Sequence, residues 1–325
     1  MQIKVENLNK NFRIKKHKQN MISNFFNNDC TEIKAVNNIS FSVNKGELVA
    51  ILGPNGAGKS TTIKIMTGIL TPSSGSVTVE GVIPYNDRKK NGKNIGVLFG
   101  QRSQLWWELP VIDSLHLLKE MYCINEKTFQ NKMKEFNEYL GLNEFLNKSV
   151  RQLSLGQRVR SDIAASLLHN PKILFLDEPT IGLDILVKDK IRTYIKKINK
   201  EQKTTIILTS HDIDDVETIC NRIIVIDYGK LIFDGSKNDL LEKYGRKKGV
   251  RITLNSHSNF KEILNLEYIK HSDLEITYYY DSCSTNTKDV INMLVNQYDV
   301  KEISLEDATV EDSIKIIYSQ SKVAQ

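Results

Sequence analysis

Residues Gly53-Pro-Asn-Gly-Ala-Gly-Lys-Ser60 decide how this 325-residue sequence is interpreted. They follow a strand-like run at 47–52 and precede a helix-like stretch at 59–69. Glycines let a backbone wrap an anion so that successive N–H groups point inward, and the positive end of the following helix faces the same point. An ordinary glycine-rich turn is the alternative. The strand–loop–helix context instead predicts a phosphate-binding loop, in which Lys59 reaches the outer phosphates and the Ser60 hydroxyl binds Mg²⁺.

A second apolar run, Ile173-Leu-Phe-Leu-Asp177-Glu178, ends in two carboxylates. A buried strand would place Asp177 at its tip beside the loop, where it can hold Mg²⁺ or a water bound to it. Glu178 would stand near the terminal phosphate, where it can orient or deprotonate a water molecule. Alone, this motif could also be a simple strand end, but the phosphate loop favours the catalytic interpretation.

Continuous apolar strands alternate with helix-like segments in this part of the chain. The strands at 173–176 and 205–208 flank an amphipathic segment at 187–199. Strands of a parallel sheet are covered on both faces and are therefore apolar throughout. The pattern predicts an α/β fold. Residues 111–150 have helical periodicity, carried by apolar positions that include Leu115, Met121, Phe129 and Phe136. The runs at 222–227 and 230–233 predict a hairpin that turns at Tyr228-Gly229.

The stretch Leu153-Ser-Leu-Gly-Gln157 lies upstream of the acidic strand, with Ser154 23 residues before Asp177. By itself, the serine would be a helix N-cap. Together with the phosphate loop and the acidic strand, it resembles the nucleotide-binding domain of ATP-binding-cassette (ABC) ATPases, whose signature usually reads Leu-Ser-Gly-Gly-Gln. The resemblance covers nearly all of residues 1–240.

The resemblance implies a P-loop NTPase of the ABC type, with a RecA-like core, an antiparallel β subdomain, a helical subdomain, and ATP and Mg²⁺ as cofactors. It implies the following nucleotide-binding residues: Phe12, Gly53, Pro54, Asn55, Gly56, Ala57, Gly58, Lys59, Ser60, Thr61, Gln101, Ser154, Gly156, Gln157, Asp177 and Asp184.

Individual roles follow from the same resemblance. Phe12 falls where an aromatic ring stacks on adenine, and Gly182-Leu-Asp184 matches the D-loop. Mg²⁺ would be bound by Ser60, Asp177 and a glutamine, which is Gln101 or, as an alternative, Gln104. The catalytic residues would be Glu178 and His211, the latter matching the switch histidine that contacts the terminal phosphate.

Leu155 departs from the family signature, because it replaces the first of the two glycines. If that backbone position needs a positive φ, leucine is costly there. We still expect Ser154, Gly156 and the helix N-terminus to bind phosphate. The Ser-Leu-Gly-Gln variant resembles the signature of one branch of cassette exporters. The insertion before Ala35 and the segment 99–110 resemble the same branch.

Two further features of the sequence, the tryptophan pair and the insertion at 13–34, each have two interpretations. Adjacent tryptophans cannot both face one core, so we expect Trp106 or Trp107 to be exposed or at an interface. By resemblance, one of them lines the groove that receives a short helix of the membrane subunit; ordinary packing is the alternative. The insertion at 13–34 either contacts a membrane or partner, or folds onto its own domain.

Composition narrows the class of protein. The net charge is +6, yet residues 251–325 carry 7 Lys/Arg and 12 Asp/Glu, so the body is basic and the tail acidic. This balance fits an anionic ligand, a membrane surface or nucleic acid. The four cysteines lie far apart, which argues against a disulfide framework or a zinc site. With no signal-peptide pattern and no run near the ~18 apolar residues of a membrane helix, we expect a soluble intracellular chain.

The predicted organisation is an ABC ATPase domain at 1–240 with a helical and signature subdomain at 102–160, a linker at 241–249, and a small α+β C-terminal domain at 250–325. We expect a homodimer, or a pair with a related cassette subunit, at the cytoplasmic face of the cell membrane. Its partners would be separate transmembrane permease subunits, and no nucleic acid is expected. ATP hydrolysis would drive transport, with export favoured by analogy. The alternative is a non-transport cassette ATPase of translation or DNA maintenance.

Overall fold

The computed structural model describes residues 1–15, 30–100, 103–210, 212–245, 247–256, 263, 266–282 and 284–323. Within them the chain divides into two compact units, Met1–Asp234 and Gly235–Gln325.

The first unit contains nine strands and seven helices among its described residues. The strands are β1 Ile3–Lys15, β2 Cys30–Val43, β3 Leu48–Leu52, β4 Ser74–Val79, β5 Ile95–Phe99, β6 Ile173–Asp177, β7 Thr205–Thr209, β8 Arg222–Asp227 and β9 Lys230–Ser236, whose last two residues pass the division. The helices are α1 Lys59–Met66, α2 Arg88–Asn94, α3 Val111–Met121, α4 Glu126–Leu140, α5 Leu155–Leu167, α6 Ile185–Gln202 and α7 Ile213–Ile219.

Two sheets form the body of this unit. A six-stranded sheet has the order β5-β6-β7-β3-β8-β9, and its first five strands pair in parallel. A three-stranded antiparallel sheet has the order β2-β1-β4. One hydrophobic cluster, which includes Ile51, Ile63 and Val77, joins both sheets and α1. The predicted α/β fold with an antiparallel subdomain is confirmed.

The hairpin from β8 to β9 turns at Tyr228 and Gly229, where the sequence predicts it. Both residues have positive φ, +45° and +73°. A two-residue turn with two positive φ angles matches the right-handed twist of the strands it joins.

A helical layer lies between β5 and β6 in the sequence. It consists of α3, α4, the short 3₁₀ turns Leu142–Glu144 and Val150–Gln152, and α5. Of the apolar positions that carry the helical periodicity, Leu115, Phe129 and Phe136 are buried, whereas Met121 is 68% exposed. This layer carries both Trp106 and the signature at the start of α5.

The second unit is a four-stranded antiparallel sheet with helices. Its elements are α8 Lys237–Tyr244, β10 Lys247–Leu254, β11 Glu267–Lys270, β12 Glu275–Asp281, α9 Thr287–Gln297, β13 Val300–Glu306 and α10 Val310–Val323. The strand order is β11-β12-β10-β13. One sheet face packs Ile252, Ile276 and Tyr278 against Val290 and Leu294 of α9, as a small α+β domain requires.

The division between the units differs from the predicted one. The sequence predicts that the first domain ends at residue 240 and that a linker follows at 241–249, but that stretch contains the end of α8 and the start of β10. α8 packs against α10 of the second unit and buries Leu240 there. Ser236 caps α8 through a bond to the Asp239 N–H, so a helix replaces the expected linker.

The central parallel strands should dominate the stability of the first unit. Ile207 of β7 is fully buried, so Ile207→Ala should lower the free energy of unfolding by about 2–5 kcal/mol. Ile33 of β2 is 47% exposed, and Ile33→Ala should change it by about 0.5 kcal/mol or less. Urea denaturation followed by circular dichroism measures both. Equal losses in the two variants would contradict the assignment of the core.

Candidate functional site

The loop at 53–58 connects β3 to α1 and leaves no room for a side chain at Gly53 or Gly58. A Cβ atom on Gly58, whose φ is +105°, would lie 2.3 Å from the carbonyl oxygen of Ala35. A Cβ atom on Gly53 would lie 2.2 Å from the carbonyl oxygen of Ile226. The loop backbone is therefore held tightly between β2 and β8, while Pro54 and Asn55 at its tip are exposed.

Lys59 opens α1, and its ammonium group lies inside this loop. Its Nζ donates hydrogen bonds to the carbonyl oxygens of Gly53 at 2.6 Å and Pro54 at 3.1 Å. Burial lowers the pKa of Lys59, and the charges of Glu178 and Asp177 oppose that shift. The loop thus contains a buried cation, poised for an anion with several oxygens.

Asp177 lies where the ends of three structural elements meet. Its Oδ1 accepts hydrogen bonds from the Thr209 hydroxyl at 2.5 Å and the Ser60 hydroxyl at 3.3 Å. Asp177 and Thr209 are register partners at the ends of β6 and β7. A hydroxyl and a carboxylate are hard oxygen donors of the kind that Mg²⁺ prefers, so Ser60 and Asp177 fit that ion.

Glu178 follows in a strained backbone conformation, with φ of +56°. Its N–H donates to the carbonyl oxygen of Thr209 at 3.0 Å and to the Thr209 hydroxyl at 3.2 Å. A non-glycine residue in this region costs free energy and persists only where its surroundings enforce it. Thr209 therefore positions both acidic residues.

A polar network supports the loops on either side of Glu178. A cavity of about 250 Å³ is lined by Glu178, Thr180, Ile181, Gly182, Lys188, Ser210 and Asp212. Beneath it, fully buried Asp215 accepts bonds from Thr180, from Ser210 at 3.1 Å and from Arg192 at 2.6 Å. The chain segments after Glu178 and before position 211 are thereby joined to one ion-paired carboxylate.

The signature residues form the start of α5. The Ser154 hydroxyl accepts from the Gln157 N–H at 3.2 Å, and the Gln157 side chain accepts from the Ser154 N–H at 3.1 Å. This reciprocal pair is a capping box. Leu155 is the first helical residue and is absent from the positive-φ residues, so the expected backbone cost of leucine does not arise.

The start of α5 packs on the segment that precedes α6. A Cβ atom on Gly182, whose φ is +70°, would lie 3.0 Å from Leu155 Cδ2. Leu183 and Val187 lie beside Gly156. Asp184 caps α6 by accepting a bond from the Val187 N–H at 2.9 Å. The structure thus places the signature against the predicted D-loop of the same chain.

Four other residues were predicted for the site from the sequence: Gln101, His211, Gln104 and Phe12. Gln101 and His211 lie outside the described residues, as does most of the insertion at 13–34. Gln104 does not face an ion site: both its backbone N–H and its side chain bond Asp162. Phe12 lies on β1, where its register partner on β2 is Ile33. Ile33 is two residues from Ala35, which contacts the loop.

Trp106 and Trp107 are both exposed, at 41% and 51%. We expected one of the pair to be so. Arg158 of α5 places its guanidinium 5.9 Å from the centre of the Trp107 ring. The pair therefore forms an aromatic surface beside the signature helix.

Several residues at the site were not predicted from sequence. Thr209 bonds both acidic residues, and its place at the end of an apolar strand next to the Asp177 strand was the available signal. Asp215 and Asp162 gave no signal, because each bonds groups that are distant along the chain.

Within the ranges that the structure describes, His, Cys, Asp and Glu side chains form no cluster of three that could hold a metal. Among the described helices, none has the length and apolar character needed to cross a membrane.

Comparison with known proteins identifies the family that the sequence motifs resemble. The model of the ABC transporter family matches residues 36–181. The ABC transporter ATP-binding protein NatA of Bacillus subtilis is 34% identical over 210 residues, which cover 65% of this chain and 85% of NatA. The linearmycin resistance ATP-binding protein LnrL of the same organism is 36% identical over 219 residues, or 67% of this chain and 70% of LnrL.

A solved structure shares the fold. The dimer of the ATP-binding cassette MJ0796, in a post-hydrolysis state with ADP and phosphate bound, matches with a TM-score of 0.61 and 28% identity. The match covers 72% of this chain and 98% of that cassette. These findings favour a transport-associated ATPase over a cassette protein of translation or DNA maintenance. The chain belongs to the ABC transporter family, as an ATP-binding subunit that hydrolyses ATP.

Proposed function

We propose that this chain binds ATP with Mg²⁺ at the loop 53–58, hydrolyses it with Glu178, and drives export through separate transmembrane subunits. The observation that carries the proposal is the approach of Ser60 to Asp177, 3.3 Å apart, beside the buried Lys59. It puts a cation, a hydroxyl and a carboxylate at one end of the parallel sheet, where ligands of α/β folds bind.

Lys59 is the proposed ligand of the outer phosphates. In this structure its ammonium group bonds two loop carbonyl oxygens, an arrangement that holds the charge in the loop. Phosphate oxygens would offer it stronger, charge-assisted hydrogen bonds. The amides of Gly53, Pro54, Asn55, Gly56, Ala57 and Gly58, together with Ser60 and Thr61 of α1, form the proposed cradle.

Mg²⁺ is proposed to be held by Ser60 and Asp177, with Gln101 as a third ligand. The ion would neutralise charge on the phosphates. Glu178 is the proposed general base for the attacking water, and His211 the proposed contact to the terminal phosphate. The positive φ of Glu178 and its two backbone bonds to Thr209 support a carboxylate held in one position.

The proposed assembly is a head-to-tail dimer of two copies, or a pair with a related cassette subunit. In it Ser154, Gly156 and Gln157 of one copy would complete the phosphate site of the other, with Asp184 nearby. Exposed apolar side chains beside the signature support this interface. Ile185 and Leu186 are each 76% exposed, and Leu155 and Ile181 are exposed beside them. Burying such a patch stabilises an association.

Phe12 is the proposed stacking partner of adenine. It is 37% exposed on β1, and β2 beside it contacts the loop at Ala35. An exposed aromatic ring next to a phosphate site offers a face to a purine.

The membrane subunits are proposed to bind at the Trp106–Trp107 surface, on the cytoplasmic face of the membrane. Aromatic residues are enriched at interfaces, and both rings are accessible. Export is supported by the similarity to a linearmycin resistance protein. We further propose that the first unit is the ATPase domain and the second an accessory domain.

Lys59→Ala removes the buried cation from the loop. Because a charge-assisted hydrogen bond contributes about 1.5–3 kcal/mol, ATP affinity should fall about 10- to 100-fold and turnover should be lost. Lys64→Ala is the matched control, since Lys64 is exposed on the same helix. Equilibrium titration with a fluorescent ATP analogue and a phosphate-release assay measure the two effects. Unchanged affinity and turnover in Lys59→Ala would refute the site.

Glu178→Gln keeps the shape of the side chain but removes its basicity. Hydrolysis should fall by about two to four orders of magnitude, while ATP binding remains because Lys59 and Ser60 are untouched. With ATP uncleaved, both composite sites stay occupied. The variant should therefore elute with ATP as a dimer of about twice 37.2 kDa in light-scattering chromatography.

Two controls accompany this measurement. Glu138→Gln, on the exposed face of α4, should behave as the wild type, which cycles between dimer and monomer. Wild-type protein with ATP in EDTA is the control for binding without turnover. A Glu178→Gln variant that hydrolyses ATP normally and stays monomeric at saturating ATP would exclude both the base assignment and the dimer mechanism.

A further inference from the structure

The segment from Ser103 to Trp107 is fastened to the signature helix α5 by one buried carboxylate. Asp162 Oδ1 accepts bonds from the Ser103 hydroxyl at 2.8 Å and from the Gln104 N–H at 3.0 Å. The Gln104 side chain donates back to the carbonyl oxygen of Asp162 at 2.8 Å. The Ser103 oxygen also accepts from the Leu105 N–H at 3.2 Å, which fixes the local turn.

This carboxylate is buried at a cost. Asp162 is 4% exposed, and burial raises its pKa to about 6. The bonds from Ser103 and Gln104 and the charge of Arg158 oppose the shift. A buried charge needs such partners, so the segment and the carboxylate stabilise each other.

A second contact lies one turn earlier on the same face of α5. Arg158 precedes Asp162 by four residues, the spacing that places two side chains on one helix face. Its guanidinium lies over the Trp107 ring, and the Arg151 N–H donates to the Trp107 carbonyl oxygen at 3.0 Å. Trp107 is therefore held both by α5, through Arg158, and by the 3₁₀ turn Val150–Gln152 that precedes it, through Arg151.

We propose that Asp162 is a positioning residue that makes the segment Ser103–Trp107 move together with α5, so that nucleotide-driven closure at Ser154 is relayed to the tryptophan pair. The inference rests on the proposed function, since it needs nucleotide to act at the signature. Asp162 touches neither nucleotide nor the reacting atoms; it acts through Ser103 and Gln104.

The chain supplies its own reporter for this coupling. Its only two tryptophans are Trp106 and Trp107, so intrinsic tryptophan fluorescence reports on this segment alone. In the wild type, a saturating non-hydrolysable ATP analogue, adenosine 5′-(β,γ-imido)triphosphate, should change the emission. In Asp162→Leu, which offers no acceptor, most of that change should be lost while analogue affinity stays within about twofold.

Two pairs of variants separate coupling from folding. Asp162→Asn keeps a side-chain oxygen that can accept both bonds, so it should retain the emission change that Asp162→Leu loses. Ser103→Ala removes a hydroxyl bonded to Asp162 and should reduce the change. Ser166→Ala removes a buried hydroxyl of the same helix, which donates to the carbonyl oxygen of Ile163 at 2.8 Å, and should leave the change intact.

Analogue binding is measured separately by equilibrium dialysis. A wild type that does not bind the analogue would count against the proposed function. Binding without any emission change in the wild type would overturn the inference. So would a full emission change in both Asp162→Leu and Ser103→Ala, or an equal loss in Ser103→Ala and Ser166→Ala. Should Asp162→Leu fail to fold, the two serine variants decide alone.

Discussion

The parallel pairing of β3, β6 and β7 brings three carboxyl-terminal strand ends to the same edge of the sheet. Asp177 and Thr209 are register partners there, and Ile51 of β3 pairs with Thr209 from the other side. The loop at 53–58 leaves β3 at this level, so Ser60 comes within reach of Asp177. Ser60, Asp177 and Glu178 take their positions from that edge, which is the place where open α/β sheets bind ligands.

Two buried carboxylates hold the chain around this edge, and their surroundings differ. Asp215 is paired directly with Arg192, and it joins the chain around Thr180 to Ser210. Asp162 relies on a hydroxyl and an amide, with Arg158 acting only by its charge. Breaking a buried ion pair leaves an uncompensated charge, so the contact between Asp215 and Arg192 resists separation. Asp162 is held by two neutral donors instead, and it lies on the helix that is proposed to move.

The features that could be predicted from the sequence are those that depend on local interactions. The glycine-rich loop, the apolar parallel strands and the Tyr228–Gly229 turn are each determined by residues close along the chain. The start of α5 shows where such prediction ends. The residue type of Ser154 indicated an N-cap, but the contact of the next residue, Leu155, with the D-loop segment depends on packing. The cost expected for Leu155 depended on a positive φ, but Leu155 is the first residue of α5 and is not among the residues with positive φ.

Long-range contacts explain what the sequence could not show. Ser103 and Asp162 are 59 residues apart, and Thr180 and Asp215 are 35 apart, so no local pattern joins them. The predicted linker was misplaced for a related reason. Its charged, glycine-containing composition suggested a loop, but a Ser236–Asp239 capping box and burial of Leu240 make α8 part of the second unit.

The position of α5 explains how a small change at the phosphate site can reach a distant surface. Its 13 residues span about 20 Å, and hydrogen bonds along the backbone make such a helix stiff. Leu155 at its start packs on the D-loop segment, whereas Arg158 and Asp162 further along contact the tryptophan segment. A shift at the start of α5 would therefore be transmitted from Leu155 to Asp162 without any deformation of the helix. Since both sets of contacts are formed within one chain, each subunit would convey the state of the proposed composite phosphate site to its own aromatic surface.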